Sequence, residues 1–337
     1  MKIFLSNVPG FILAKELQGN SVKKWLYFGT HNPVGQRLER ILIQKGQQIN
    51  YGKKLYETTQ AKRKQFILWI DEIAVSFLDT KEWLFSVTSV KNTVMSNLFL
   101  YACYAVVLED FIKEGERVDL IFVDSPALAT LFKNSFPGVI EIASVNRWLK
   151  LGFYFKAFVK SILRLGKYLI EFGRKFLSAK IILKDRSRQL LRGKKRLVLI
   201  RNFMTDDFSD TRDDIMERHY FPGLYDYFKG KDYAPVFLPI IPKAVSYRQL
   251  YRKVAQSQKI IVFPEEFLKL RDYLHTFLAP LRALALRLPA PSYGQYQLGP
   301  LLREEYYANL TEYGFLYATL LSRFGKRFRE CGLVPLA

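Results

Sequence analysis

Short apolar runs bounded by turn residues open the chain. Lys2-Ile3-Phe4-Leu5-Ser6 and Trp25-Leu26-Tyr27-Phe28 have the length and composition of buried strands. Across residues 64–78, Phe66, Ile67, Ile70, Ile73, Ala74 and Phe77 recur at helical spacing. Residues 92–115 predict a second helix, with Gly115 as its stop signal. Val118-Asp119-Leu120-Ile121-Phe122-Val123-Asp124-Ser125 then predicts a buried strand, Pro126 follows it, and residues 127–132 begin another helix. Residues 139–143 predict a further strand. Strands alternating with helices imply a parallel sheet covered by helices on both faces, so residues 1–145 read as a Rossmann-like α/β lobe.

Residues 146–196 differ in kind. Leu151, Phe155, Phe158, Ile162, Leu165, Leu169, Phe172 and Phe176 fall at steps alternating four and three, one stripe of a helix. Lys156, Lys160, Arg164, Lys167, Arg174 and Lys175 run beside it. From Arg147 to Arg196 there are sixteen basic residues against two acids, Glu171 and Asp185. The pattern is that of a long, basic, amphipathic helical segment.

Residues 197–275 return to an α/β pattern. Strands are expected at 196–200, 234–239 and 259–263, with helices at 222–229 and 246–254. Residues 276–337 read as an apolar helical region broken at Pro289-Ala290-Pro291. The chain ends on an apolar sequence, Cys331-Gly332-Leu333-Val334-Pro335-Leu336-Ala337, as a longer protein cut short would.

Composition narrows the partners. The 337 residues are 49% hydrophobic, enough for a sizeable core, and carry a net charge of +21. The segment from Arg147 supplies +14 of that total. Cations beside a Phe/Leu stripe combine electrostatic attraction with apolar insertion, the chemistry of a helix lying on an anionic membrane. The alternatives are a helix that packs its stripe on the protein's own core, and nucleic-acid binding. The last is disfavoured, because the aromatics lie on the apolar stripe and no helix-turn-helix, zinc-finger or RNA-recognition signature occurs. No run approaches about 18 uncharged apolar residues, so no transmembrane span is expected. Two distant cysteines and three histidines predict no disulfide scaffold and no metal site, and no cofactor is expected. Glycine-rich dinucleotide loops, P-loops and G-x-S-x-G elbows are lacking.

Candidate chemistry sits where strands end. After the strand at 196–200 come Arg201 and Asn202, then Asp206, Asp207, Arg212, Arg218 and His219. A carboxylate of Asp206 or Asp207, or the His219 imidazole, could act as a general base, and Arg201, Arg212 or Arg218 could contact phosphate. The same loop reads equally as an acidic surface loop that caps a helix. Asp124 and Ser125 follow another strand, where Asp124 binds a ligand or, as the more ordinary role, caps the helix from Pro126. Glu265 and Glu266 follow the strand at 259–263 as acid or base, or as helix N-terminal acids favoured by the macrodipole.

A resemblance enters on the order of several motifs. Trp83-Leu84-Phe85-Ser86 with Lys91 and a long helix comes first, then residues 119–124, and much later residues 197–203 and Tyr220-Phe221-Pro222-Gly223-Leu224. Over residues 80–270 this resembles bacterial surface-carbohydrate biosynthesis proteins, the large GT-B-like glycosyltransferases of O-antigen and capsule assembly. The resemblance implies two Rossmann-like lobes, a nucleotide-sugar donor and a lipid-linked glycan acceptor. It also implies peripheral work at the cytoplasmic face of the inner membrane. On that basis Asp206, Asp207, His219 and Glu265 are the candidate catalytic residues. Arg201, Asn202, Arg212, Arg218, Asp124 and Ser125 are the candidate substrate contacts, and Lys156, Lys160, Arg164, Lys167, Phe155 and Phe158 the candidate membrane contacts. Two departures stand out. A Tyr-Trp-Gly sequence expected near Tyr220 is Tyr220-Phe221-Pro222-Gly223, and the chain stops before a C-terminal donor lobe. A fragment, an acceptor-binding half and an inactive relative all remain open, as does a non-catalytic membrane-surface scaffold.

Overall fold

A computed structural model describes the chain except residues 6–21, 31–32, 45, 78, 87, 90–95, 143–146, 194–195, 204–222, 224–226, 229–230, 232, 242–245, 258, 290 and 332–337. It forms two compact units. The first comprises residues 1–163 and 280–315, the second residues 164–279 and 316–337. Composition alone divides the chain differently, at 145, 196 and 275, and treats 276–337 as one region.

The first unit is built on five parallel strands: β1 (Lys2–Leu5), β2 (Lys24–Phe28), β3 (Gln47–Gln48), β4 (Leu120–Val123) and β5 (Glu141–Ile142). Their order is β3-β2-β4-β1-β5, with Ile121 of β4 in register with Ile3 on one side and Leu26 on the other. All four residues of β4 are buried, as a central parallel strand covered on both faces requires. On one face Phe4, Trp25, Tyr27 and Phe122 pack with Leu38 and Leu42 of α1 (Pro33–Ile43). On the other face the Phe28 ring lies 5.0 Å from Tyr51 and 4.8 Å from Tyr104. Tyr51 precedes α2 (Gly52–Val75); Tyr104 lies on a later helix of the same unit, α4 (Leu98–Lys113), after the short α3 (Lys81–Leu84).

Helix α5 (Pro126–Ser135) follows β4. Its N-cap is Ser125, whose Oγ accepts from the Leu128 amide; Asp124, the residue read as the cap, serves elsewhere. The predicted helix at 64–78 begins a full three turns earlier, at Gly52. Residues 52–63 bury only Thr58, so hydrophobic periodicity is silent there.

The long helix α6 (Arg147–Ile182) enters from the first unit and continues into the second. There follow α7 (Arg186–Leu191), two parallel strands β6 (Leu197–Phe203) and β7 (Ala234–Ile240), α8 (Tyr247–Gln256) and the short α9 (Pro264–Phe267). The strand expected at 259–263 contributes a single parallel bridge, Ile261 to Phe237. Its apolar residues nevertheless fill the core: Ile261 and Phe263 pack with Ala179, Leu183, Phe237, Leu250, Tyr251 and Val254. The predicted helix at 222–229 falls largely outside the described residues.

The C-terminal region is shared between the units. Helix α10 (Leu270–Leu284) is followed by a hairpin, β8 (Ser292–Tyr293) and β9 (Tyr296–Gln297), then α11 (Gly299–Asn309) and α12 (Tyr313–Glu330). The hairpin turns on Gly294, whose φ of 58° suits glycine. The Trp69 indole donates to the Ser292 carbonyl at 2.9 Å and ties the hairpin to α2. In the second unit, Phe267 packs against Phe324 and Phe328 of α12, and the Arg327 guanidinium makes two 2.9 Å bonds to the buried Asp272 carboxylate. The coarse expectation, a mixed α/β protein with a parallel sheet, therefore holds.

Candidate functional site

Helix α6 has 36 residues, about 54 Å of helix at 1.5 Å per residue. Its first half leaves the apolar stripe uncovered. Phe155 is 65% exposed and Phe158 61%, and Leu151, Ile162 and Leu163 are exposed with them. Lys156, Lys160 and Lys167 are exposed as well, while Arg164 is half-buried. In the second half the stripe divides. Tyr168, Phe172, Lys175 and Ala179, with Leu183 just past the helix, face the core of the second unit at steps of three and four. Phe172 is 1% exposed, with its ring 6.5 Å from Tyr273 and 6.1 Å from Phe277. Leu169, Ile170, Leu177 and Ile181 are exposed instead. Phe172 and Phe176 therefore leave the predicted membrane stripe, and Ile170, Leu177 and Ile181 carry the exposed apolar face onward. Among the described residues, no helix is long and apolar enough to cross a membrane.

The carboxyl ends of β2 and β4 hold a polar cluster. Asp124 accepts from the Thr30 amide at 2.8 Å, the Thr30 hydroxyl at 2.9 Å and the Tyr101 hydroxyl at 2.9 Å. It thus locks the turn after β2. Ser125 is buried and donates to Glu304 of α11, which also accepts from the Ala127 amide at 3.2 Å. Burial raises the Glu304 and Glu305 carboxyls above the ordinary range against the hydrogen bonds each accepts, and the Asp124 charge raises them further. Asp124 and Ser125 are thus both engaged by the protein's own groups.

Beside this cluster opens a cleft of about 580 Å³ at the ends of β2 and β3. Gly29, Thr30, Gln48, Asn50, Tyr51 and Tyr104 line it, with Glu39 of α1 at its edge. The Tyr51 hydroxyl donates to the Tyr27 carbonyl at 2.5 Å and the Tyr104 hydroxyl to the Gly29 carbonyl at 3.0 Å, which fixes both rings. None of these residues was itself a candidate in the sequence, and Gly29 and Thr30 adjoin one, Asp124. Residues 47–52, Gln-Gln-Ile-Asn-Tyr-Gly, offer a weak polar strand-to-turn signal and no motif.

In the second unit Glu265 is 6% exposed, and burial raises its carboxyl above the ordinary range despite the nearby Lys175. Among the described residues its Oε2 has no hydrogen-bond partner, nor do the buried hydroxyls of Tyr251 and Tyr273. Glu266 takes the helix-terminal role: it accepts from the Phe263 amide at 3.1 Å and the Ser187 hydroxyl at 2.7 Å. The strand runs on to Phe203, so Arg201 and Asn202 belong to β6 and not to the loop after it; Arg201 is exposed, with its guanidinium 5.8 Å from the centre of the Tyr317 ring. Asp206, Asp207, Arg212, Arg218 and His219, and the Asn202 side chain, lie outside the described residues. No protein-family model, curated protein or solved structure matches the chain.

Proposed function

We propose that this protein works on an anionic membrane surface, held there by α6. On this reading it is a peripheral protein at the cytoplasmic face of the inner membrane. It acts as a GT-B-like glycosyltransferase, or its acceptor-side portion, on a lipid-linked surface-polysaccharide acceptor with a nucleotide-sugar donor. The observation that carries the membrane part is the exposure of Phe155, Phe158 and Ile162 beside the exposed Lys156 and Lys160. A helix that merely covered its own core would bury those rings. Each cation near an anionic leaflet contributes about 1 kcal/mol, so Lys156, Lys160, Arg164 and Lys167 together supply about 4 kcal/mol of attraction before any ring inserts.

The glycosyltransferase part is supported by the sequence resemblance and by a parallel sheet whose strand ends carry a cleft. The burial of Glu265 favours the rival reading of a non-catalytic surface scaffold, since a proton-transfer group must reach its substrate. Co-sedimentation with phosphatidylglycerol-containing and with pure phosphatidylcholine vesicles tests the membrane reading. The expected result is binding to the anionic vesicles alone, abolished by combined Lys156→Glu, Lys160→Glu, Arg164→Glu and Lys167→Glu. Equal binding by that variant would overturn it.

A further inference from the structure

We infer that the cleft at the carboxyl ends of β2 and β3 binds the uncharged ring of a sugar and excludes phosphate. Its position beyond the ends of parallel strands is where open α/β sheets take ligands. Its volume of about 580 Å³ falls within the ~300–1,000 Å³ of small-molecule sites.

The chemical class comes from the lining. The chain carries a net charge of +21, yet among the described lining residues there is no lysine or arginine, and the one charged side chain is Glu39. Among those described residues a phosphate would meet a carboxylate and no countercharge. Two described cations of the first turn of α2 are turned to other partners. Lys54 donates to Glu114 and stands 4.6 Å from the centre of the Phe111 ring, and Lys53 pairs with Glu57 at 3.9 Å. The start of α2 points no free amide from Gly52 at an anion, because the Asn50 Oδ1 accepts that N–H at 3.0 Å.

What the cleft does offer suits a polyhydroxylated ring. Sugars present an apolar C–H face and a rim of hydroxyls that both donate and accept. The half-buried Tyr51 gives the aromatic surface, backed edge-on by the buried Tyr104 ring 6.0 Å away. Their hydroxyls are committed to backbone carbonyls, so the rings are held before any ligand arrives. The Gln48 and Asn50 amides and the Glu39 carboxylate supply donors and acceptors at the rim. Gly29 is needed where the turn meets the Tyr27 ring, since a Cβ there would stand 2.6 Å from the Tyr27 hydroxyl. A glycan's place in a transfer reaction rests on the function proposed above; the ligand's class rests on the cleft alone.

Saturation-transfer difference NMR on the full chain, without lipid, tests this. The probes are glucose, galactose, N-acetylglucosamine, N-acetylgalactosamine, uridine diphosphate and inorganic phosphate. The variants are Glu39→Gln and Gln48→Ala, with thermal melts to establish that each is folded. The expected result is saturation of the ring protons of at least one sugar, unchanged by excess phosphate or uridine diphosphate. Gln48→Ala should weaken it roughly fivefold, as the loss of one neutral hydrogen bond does. No saturation of any sugar, displacement of a sugar by phosphate or uridine diphosphate, or unchanged affinity in both variants would each overturn the assignment. Sugar binding by a chain that ignores anionic vesicles would sink the membrane reading and leave the cleft intact; the reverse result would do the opposite.

Discussion

Phe158 and Phe172 stand on one stripe in the sequence, fourteen residues apart on α6, yet they should behave as opposites. Phe158 is 61% exposed, while Phe172 is 1% exposed against Tyr273 and Phe277. Fully burying a phenylalanine gains ~1.5–3 kcal/mol, so inserting the exposed part of Phe158 into a bilayer should gain about 1–2 kcal/mol. Phe158→Ala should therefore weaken partition to anionic vesicles roughly five- to thirtyfold. Its effect on folding stability should stay within about 0.5 kcal/mol, as for a surface position. Phe172→Ala should do the reverse. It removes a ring from a packed core at a cost of about 3–5 kcal/mol, and leaves vesicle affinity per folded molecule unchanged. Urea unfolding and vesicle sedimentation on the same two preparations read both quantities. The reasoning fails if Phe158→Ala destabilises the fold as much as Phe172→Ala does, or if it leaves vesicle partition untouched.

Three further outcomes follow from the interior. Burial would raise the Asp272 carboxyl, but the Arg327 guanidinium and the Lys269 amide outweigh it and hold it below the ordinary range. Its stabilisation is thus present above the unfolded value of ~3.9 and lost as pH falls through the lower native value. In urea titrations Asp272→Asn should be less stable than the parent at pH 6, with the gap closing toward pH 2; a gap that stays constant counts against the ion pair. Glu265 has the opposite sign: burial raises its native value, so the native state loses stability as pH rises through it. Glu265→Gln should raise the melting temperature at pH 8 and raise it less near pH 4, and a lower melting temperature at pH 8 would refute this account. Gly29→Ala places a Cβ 2.6 Å from the Tyr27 hydroxyl and 3.1 Å from the Asp124 carboxyl carbon. It should cost about 1–3 kcal/mol in urea unfolding and remove sugar saturation together, through overpacking at the turn that Asp124 holds.

Local pattern made several elements legible. The strands at Ile3, Leu26, Ile121 and Val236 are apolar runs with no polar residue to interrupt them, and burial in a sheet covered on both faces demands just that. The amphipathic character of α6 was equally readable, because it is a property of one helix and its period. Strand β3 was not, because Gln47 and Gln48 are exposed edge residues held by backbone bonds to β2 that any side chain permits. The start of α2 was hidden for a similar reason: a helix turn that buries almost nothing has no hydrophobic period to show.

The candidate site was legible in its parts and not in its assembly. Asp124 and Ser125 could be picked out as polar residues at a strand end. That Asp124 grips Thr30, ninety-four residues away in the chain, and that Ser125 meets Glu304, depends on contacts no spacing encodes. The cleft residues Glu39, Gln48, Tyr51 and Tyr104 come from three segments that only the parallel crossovers gather. So the sequence by itself determined the class of fold, the excess of positive charge and the existence of a basic helix with an apolar stripe, because each is set by composition or by a period within one segment. The tertiary structure alone decided which part of that stripe faces solvent, which carboxylates are buried and where a ligand has room. Those depend on what distant residues pack against, and a side chain's burial is a property of its neighbours in space.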